Sequence, residues 1–362
     1  MALHPVEPPP EARDLRRIVA LLRLLLKALA KHPSGSGVIG KIWLEGIWKT
    51  QSPDWIKRFC RKREFSVLDP LQIVGKASPA FRSALYKEFC RQNRLRAFWN
   101  EGGIFNGLAS LPDSTEEAVK ATRQLFDRFY DFLGIDSKCG WLGYEFANDR
   151  AVRKDQYGEN FQAANWPRLR VCPYCDGPND LPELDHYYAK SHFPLLAVSP
   201  WNLIPICSKC NDTTRGGKGN KPALTTGAAR PAGDWLHPFF APASAGTVIL
   251  LSGGSRDAIP RLHSDDPNER QKLGNHESLI PNLSKRWTGA ASDYFDTLVN
   301  RVREQIEENG ETVDHWVRQY LRDHRRGLEP MALVRAAVCQ AVLDRRPEYI
   351  LEFENPNILG MS

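Results

Sequence analysis

No stretch of this chain is apolar enough to cross a bilayer. The richest run, Val19 to Ala30, is interrupted by Arg23 and Lys27, whereas a span needs about 20 apolar residues in a row. No small-residue cleavage site follows a clean apolar core, so the run does not read as a secretory leader. The expected location is therefore the cytoplasm, with no membrane partner. There thiols stay reduced, and a disulfide framework is disfavoured. Strong charge of one sign is also lacking. A net charge of +6 over 362 residues is mild basicity, which suits a polyanionic partner without requiring one. There is no internal repeat and no low-complexity block, which sets repeat architectures aside. A complete phosphate loop is missing as well. Gly35 to Lys41 matches G-x-x-x-x-G-K, but a helical pattern precedes it and Ile42 follows the lysine, where Ser or Thr is required. That stretch reads as a Gly-Ser linker.

What is present is ordinary globular composition, 42% hydrophobic and 25% charged. The length suits two or three units. Residues 1–11 carry Pro5, Pro8, Pro9 and Pro10 and should be loose. Helical periodicity predicts a helix over Arg13 to Ala30, with Leu15, Ile18, Leu22, Leu25, Leu26 and Leu29 on one face. A second is expected over Pro79 to Ala97. A third begins at Ser114-Thr115-Glu116-Glu117, a capping box, and should end at Gly134. After a Pro-, Ala- and Gly-rich segment, Thr247 to Leu251 suggests a strand. Helices are then expected over Glu277–Leu283, Ala290–Glu308, Thr312–Arg326 and Pro330–Arg345. His237 and His263 lack partner spacing and read as structural.

Between Lys57 and Arg96 there are eleven Lys/Arg against three acids, interleaved with Phe59, Phe65, Phe81, Tyr86, Phe89, Phe98 and Trp99. Such a mixture suits nucleic-acid backbone contacts and base stacking. It equally suits amphipathic helices with aromatics in a core and charges in water, and both readings can hold together.

The densest chemistry lies between Cys172 and Lys221. Cys172, Cys175, Cys207 and Cys210 form C-x2-C-x31-C-x2-C. Two intervening residues let both thiolates of a tight turn face one ion, and four thiolates suit a closed, structural Zn²⁺ site. The alternatives are two disulfides or buried free thiols. The paired spacing favours the metal. The remaining Cys60, Cys90, Cys139 and Cys339 show no pairing logic and read as core filler.

Between the two pairs, Asp185-His186 follows Leu184 and precedes Tyr187-Tyr188, a strand-compatible run. Trp201 to Ile206 is a second such run, and Ser208 to Thr214 should open a short helix carrying Asn211. The order is strand, loop, strand, helix. Neutral His186 suits a general base. Asp185 and Asn211 offer hard oxygens for Mg²⁺ or Mn²⁺. Asn202 should tie the strands and hold the loop. Glu183 is either an auxiliary ligand or a solvated strand residue, and the second is the plainer reading. His192 should face solvent. Lys190, Arg215 and Lys218 are candidates for phosphate contact, or simple surface charges.

His186, Asn202 and Asn211, with the Asp185-His186 doublet and Cys-x-x-Cys-Asn, make this stretch resemble the HNH endonucleases, the ββα-metal nuclease fold. Its wording is most similar to HNH modules of bacterial anti-phage systems, and Leu236-His237-Pro238-Phe239 resembles them more weakly. The resemblance covers about 50 of 362 residues. Relatives often carry a lysine soon after the final Asn; here Arg215 or Lys218 takes that place. The resemblance implies that a backbone carbonyl orients the His186 base and that the substrate is DNA, with RNA as the other polymer. It also implies a defence effector working beside a separate ATPase or sensor.

The expected architecture is α+β, mostly helical, with a small ββα-metal module inserted. It comprises residues 1–165 as a helical region with the basic patch, 166–250 as the HNH module and 251–362 as a helical region. The expected activity is hydrolysis of phosphodiester bonds in DNA. From another class, the rival is a non-catalytic zinc module that binds nucleic acid or protein. An RNase toxin is a third reading.

Overall fold

The computed structural model describes residues 3–33, 39–49, 60, 67–132, 154–165, 170–211, 232–280, 282–327 and 329–354. Among these residues helix dominates, with two small antiparallel strand pairs. The N-terminal helices are α1 (Ala12–Lys31), α2 (Lys41–Ile47), α3 (Leu68–Lys76), α4 (Pro79–Gln92), α5 (Leu95–Asn100), α6 (Glu116–Phe132) and α7 (Lys154–Ala164). Strands β1 (Glu183–His186) and β2 (Leu203–Ile206) and the short helix α8 (Ser208–Asn211) follow. The C-terminal part holds β3 (Val248–Ser252), β4 (Ile259–His263), α9 (Pro267–Leu279), α10 (Leu283–Asn309), α11 (Val313–His324), α12 (Ala332–Leu343) and α13 (Pro347–Glu354).

α1 forms where its leucine periodicity predicts it. Leu15, Ile18, Leu22, Leu25, Leu26 and Leu29 are all buried, each worth roughly 1.5–3 kcal/mol of transfer free energy. The helix expected over Pro79–Ala97 is in fact two. Ser78 caps α4, its hydroxyl accepting from the Phe81 N–H at 3.0 Å. At the other end Asn93 donates its side-chain amide back to Phe89 O and across to Leu195 O. The chain then restarts as α5. α6 begins one residue later than the Ser114 box suggests, with Thr115 accepting from Ala118 N–H. Gly134, its expected stop, lies outside the described residues.

The strand expected at Thr247–Leu251 is β3, and it pairs with β4, which the sequence pattern did not reveal. α9 starts ten residues earlier than expected, because Asp266 caps it and Pro267 sits in its first turn, where a missing N–H costs nothing.

Two cores flank the β1–β2 hairpin. One is built mainly by α1, α3, α4 and α6, and it takes Leu184, Leu195, Ala197, Val198 and Leu203. The other contains the α9–α13 side chains and takes Tyr174, Tyr187, Tyr188, Ile204 and Ile206. β2 is buried along its whole length, which explains its uninterrupted Leu-Ile-Pro-Ile run. His237 is fully buried and its ring lies 4.5 Å from that of Phe240 and 4.7 Å from that of Trp99. It is a structural residue, as its isolation in sequence suggested. Phe81, Phe89, Phe98 and Trp99 are also buried. Among the described residues of the basic segment these four aromatics are core and Tyr86 is half-buried; Lys87, Arg94 and Arg96 are exposed, whereas Arg82 is buried. Phe59, Phe65 and the cations between Lys57 and Arg63 lie outside the described residues.

Candidate functional site

The two Cys-x-x-Cys turns meet beside α10. In the first, Asp176 N–H donates to Cys172 O at 3.0 Å, and Cys172 N–H to Gly177 O at 2.7 Å. Asp176 carries this turn through the left-handed region at φ 58°, where Asp is better tolerated than most residues. The second turn opens α8, with Cys210 and Asn211 N–H groups donating to Cys207 O. All four sulfurs lie within 4.8 Å of one another and all four cysteines are buried. Cys175 Sγ and Cys207 Sγ are 3.7 Å apart. A tetrahedral ion with bonds of about 2.3 Å gives an S–S edge of about 3.8 Å, so the donors fit an ion such as zinc. None of the four is in a disulfide. Burial pushes the Cys172 thiol well up, so ionising the set calls for a compensating cation.

Part of that compensation comes from a residue with no metal-binding signature. Arg286, near the start of α10, donates to Cys175 Sγ and Cys210 Sγ at 3.6–3.7 Å. Its neighbour Trp287 donates to Cys175 O at 2.9 Å. The first turn is held from both ends of the chain. Buried Asp176 bonds His4 Nε2 at 2.6 Å and accepts from Leu333 N–H at 2.8 Å.

In the hairpin, Asp185 stands opposite Ile204 and His186 opposite Leu203. His186 ends β1 and is buried. Its Nε2 bonds Ala197 O at 2.8 Å. A carbonyl only accepts, so the proton sits on Nε2 and the basic lone pair on Nδ1. The ring lies 4.7 Å from that of Tyr130 on α6.

Asn202 makes the ties expected of it. Its Oδ1 accepts from Tyr188 N–H at 2.7 Å, and its Nδ2 donates to Tyr188 O and Leu196 O at 3.0 and 3.2 Å. These bonds close the loop between the strands and so position Ala197.

Asn211 reaches back from α8 and donates to Glu183 Oε2 at 2.7 Å. Glu183 is thus exposed but engaged rather than merely solvated. Asp185 is half-buried and shares a strand face with Glu183 by alternation. His186 takes the other face, at the strand's last position. The Tyr174 phenol is pushed well up by burial and then by the Asp185 charge, so that charge is felt at the first metal turn.

Lys190 is half-buried, 3.4 Å from Asp127 Oδ1 and 4.6 Å from the centre of the Tyr130 ring. Part of its charge is therefore committed to α6. His192 is half-buried rather than fully exposed. Arg215 and Lys218 lie outside the described residues.

Several contributors were not anticipated: Arg286, Asp176, Tyr130 and Ala197. Only Asp176 had a usable signal, a turn-forming residue directly after Cys-x-x-Cys and before Gly177. Arg286 lies 76 residues from Cys210, and nothing local marks it.

No family model matches this chain, and no solved structure matches it. Over 45 residues, 12% of its length, the chain is 36% identical to Protein ea31 of Escherichia phage lambda. That stretch spans 15% of the phage protein.

Proposed function

We propose that this protein is an HNH-type endonuclease that hydrolyses phosphodiester bonds in DNA, with structural zinc on Cys172, Cys175, Cys207 and Cys210. The observation that carries the reading is the bond from His186 Nε2 to Ala197 O. It presents Nδ1 as the basic atom, at the end of a hairpin whose following helix directs Asn211 toward the carboxylate-bearing strand.

In this reading His186 takes a proton from the attacking water at Nδ1. Asn202 acts at one remove, holding the loop that carries Ala197. Asp185 and Asn211, with Glu183 beside them, would hold Mg²⁺ or Mn²⁺ through hard oxygens. Such an ion supplies charge stabilisation for the pentavalent transition state and the leaving 3′ oxygen. Lys190, Arg215 and Lys218 are the proposed phosphate contacts of the module. The resemblance to anti-phage modules supports a role as a defence effector alongside a separate ATPase or sensor.

The test is plasmid cleavage with added Mg²⁺ or Mn²⁺, with zinc content measured on the same samples. Cleavage should need the added ion. His186→Ala should slow it by about 10²-fold or more, and Glu183→Gln by less, both with zinc unchanged. A wild-type protein inert toward plasmid and single-stranded DNA with either ion sinks the proposal. Selective cutting of tRNA would move the substrate to RNA.

A further inference from the structure

α1 packs along α4, and a groove of about 610 Å³ runs between them. Arg16 and Arg23 line it from α1, and Lys87, Arg91 and Arg94 from α4 and its C-terminal turn, against one acid, Glu101. Arg16 and Arg23 are seven residues apart on α1, so they lie on one helix face about 10 Å apart; Lys87 is on α4, and Arg94 stands just past its end, at the start of α5. Arg91 is committed to Glu88 through two bonds of 2.8 and 2.6 Å. Arg16, Arg23, Lys87 and Arg94 are exposed, and no carboxylate pairs with any of them among the described residues. Four cations that share the groove with one acid, Glu101, and pair with no carboxylate among the described residues repel each other, and that cost is relieved by a polyanion.

The groove also points somewhere. Arg94, Asn93 and Ala97 are shared with a second hollow of about 390 Å³, which Arg96 and Trp201 also line. Trp201 precedes Asn202, the residue that closes the hairpin loop. Asn93, in the wall of both hollows, donates to Leu195 O at 2.9 Å. Leu195 stands two residues before Ala197, the anchor of His186. Thus the cationic track ends on the loop that orients the proposed base.

We infer that the α1–α4 groove, continuing past Arg94 to Trp201, is a binding track for the phosphate backbone of DNA and leads the strand toward the hairpin. The inference rests on the nuclease reading for the direction of the strand, but not for the binding itself. Two pairs of cations spread along the groove suit an extended polyanion better than a single phosphate. The absence of a membrane-spanning helix among the described residues does not bear on it.

The measurement is fluorescence anisotropy of a labelled 20-base-pair duplex with no added divalent ion, over a series of salt concentrations. Three proteins are compared with wild type. The first carries Arg16→Gln, Arg23→Gln, Lys87→Gln and Arg94→Gln. The second keeps the charge, with Arg16→Lys, Arg23→Lys, Lys87→Arg and Arg94→Lys. The third carries Arg318→Gln and Arg322→Gln on the exposed side of α11. Each phosphate contact contributes about 0.9 to the slope of log affinity against log salt. The neutralised protein should bind at least about tenfold more weakly at 100 mM salt, with a slope shallower by about 3.6. The other two should match wild type. Unchanged binding by the neutralised protein overturns the inference. So does equal loss in the charge-keeping protein, absence of duplex binding by wild type, or tighter binding of poly-glutamate than of DNA. A wild type that binds through this track yet never cleaves would reject the nuclease reading and leave the track standing.

Discussion

The guanidinium of Arg286 donates to Cys210 Sγ through both terminal nitrogens, at 3.6 and 3.7 Å. Four thiolates around a divalent ion carry a net charge of about −2, and this cluster is buried. A buried excess charge is costly unless it is paired or hydrogen-bonded. Arg286 meets that need and also docks α10 onto the first turn, where Trp287 adds its bond to Cys175 O.

Replacing Arg286 with leucine should therefore weaken metal retention as well as stability. Charge-assisted bonds are worth about 1.5–3 kcal/mol. Release of zinc to a chromogenic chelator should accelerate about tenfold or more, and the thermal midpoint should fall. Wild-type release kinetics in the variant would show that the cluster does not depend on this cation.

Asn202 offers a different test, because it touches no proposed reacting atom. Its amide serves one buried N–H and two buried carbonyls. Asn202→Ala leaves them without those bonds and should cost about 2–4 kcal/mol. If the loop positions Ala197 for His186, Asn202→Asp should recover only part of the stability, since it accepts from Tyr188 N–H but cannot donate to the carbonyls. Urea unfolding of both variants gives the numbers. A loss below about 0.5 kcal/mol for the alanine variant would contradict the role.

His324 makes stability depend on pH. It is buried, its Nε2 lies 2.6 Å from Tyr294 OH, and burial, with Arg335 nearby, lowers its pKa to about 4. Arg301 acts in the same direction, while Glu329 and Asp323 act against it. Above about pH 6.5 the imidazole is neutral in folded and unfolded chains alike, and its contribution is intact. As pH falls from about 6.5 to about 4, the unfolded chain binds the proton first and stability is lost. Below that window both states are charged. The slope is at most about 1.4 kcal/mol per pH unit, reduced where solvent screens the group. His324→Gln keeps a partner for Tyr294 OH and does not titrate. Its thermal midpoint should fall less than that of wild type between pH 7 and pH 5. Parallel curves would remove His324 as the source.

The metal turns and the order of the hairpin were legible because their determinants are local. Two residues between cysteines, a short apolar run and a capping side chain act over a few positions; α1 follows from its periodicity, and β2 from its short unbroken apolar run. The break at Asn93 was not legible. At the break the Asn93 side chain bonds Leu195 O, 102 residues on, a contact invisible to the local pattern of residues 79–97, which continues as helix. β4 was hidden for a related reason. Its Pro260 and Arg261 dilute the strand pattern, and only pairing with β3 reveals it.

By itself the order of residues determined the local frame: four thiols in two turns, Asp185 and His186 on β1, Asn202 in the turn just before β2, and Asn211 on the short helix after it. Tertiary structure alone decided how each is held. Arg286 and Leu333 are brought from the C-terminal region, His4 from the N-terminus and Tyr130 from α6. The physical reason is range. Turn and strand propensities are set by neighbours in sequence, while compensation of a buried charge is met by whatever donor the packed helices bring near.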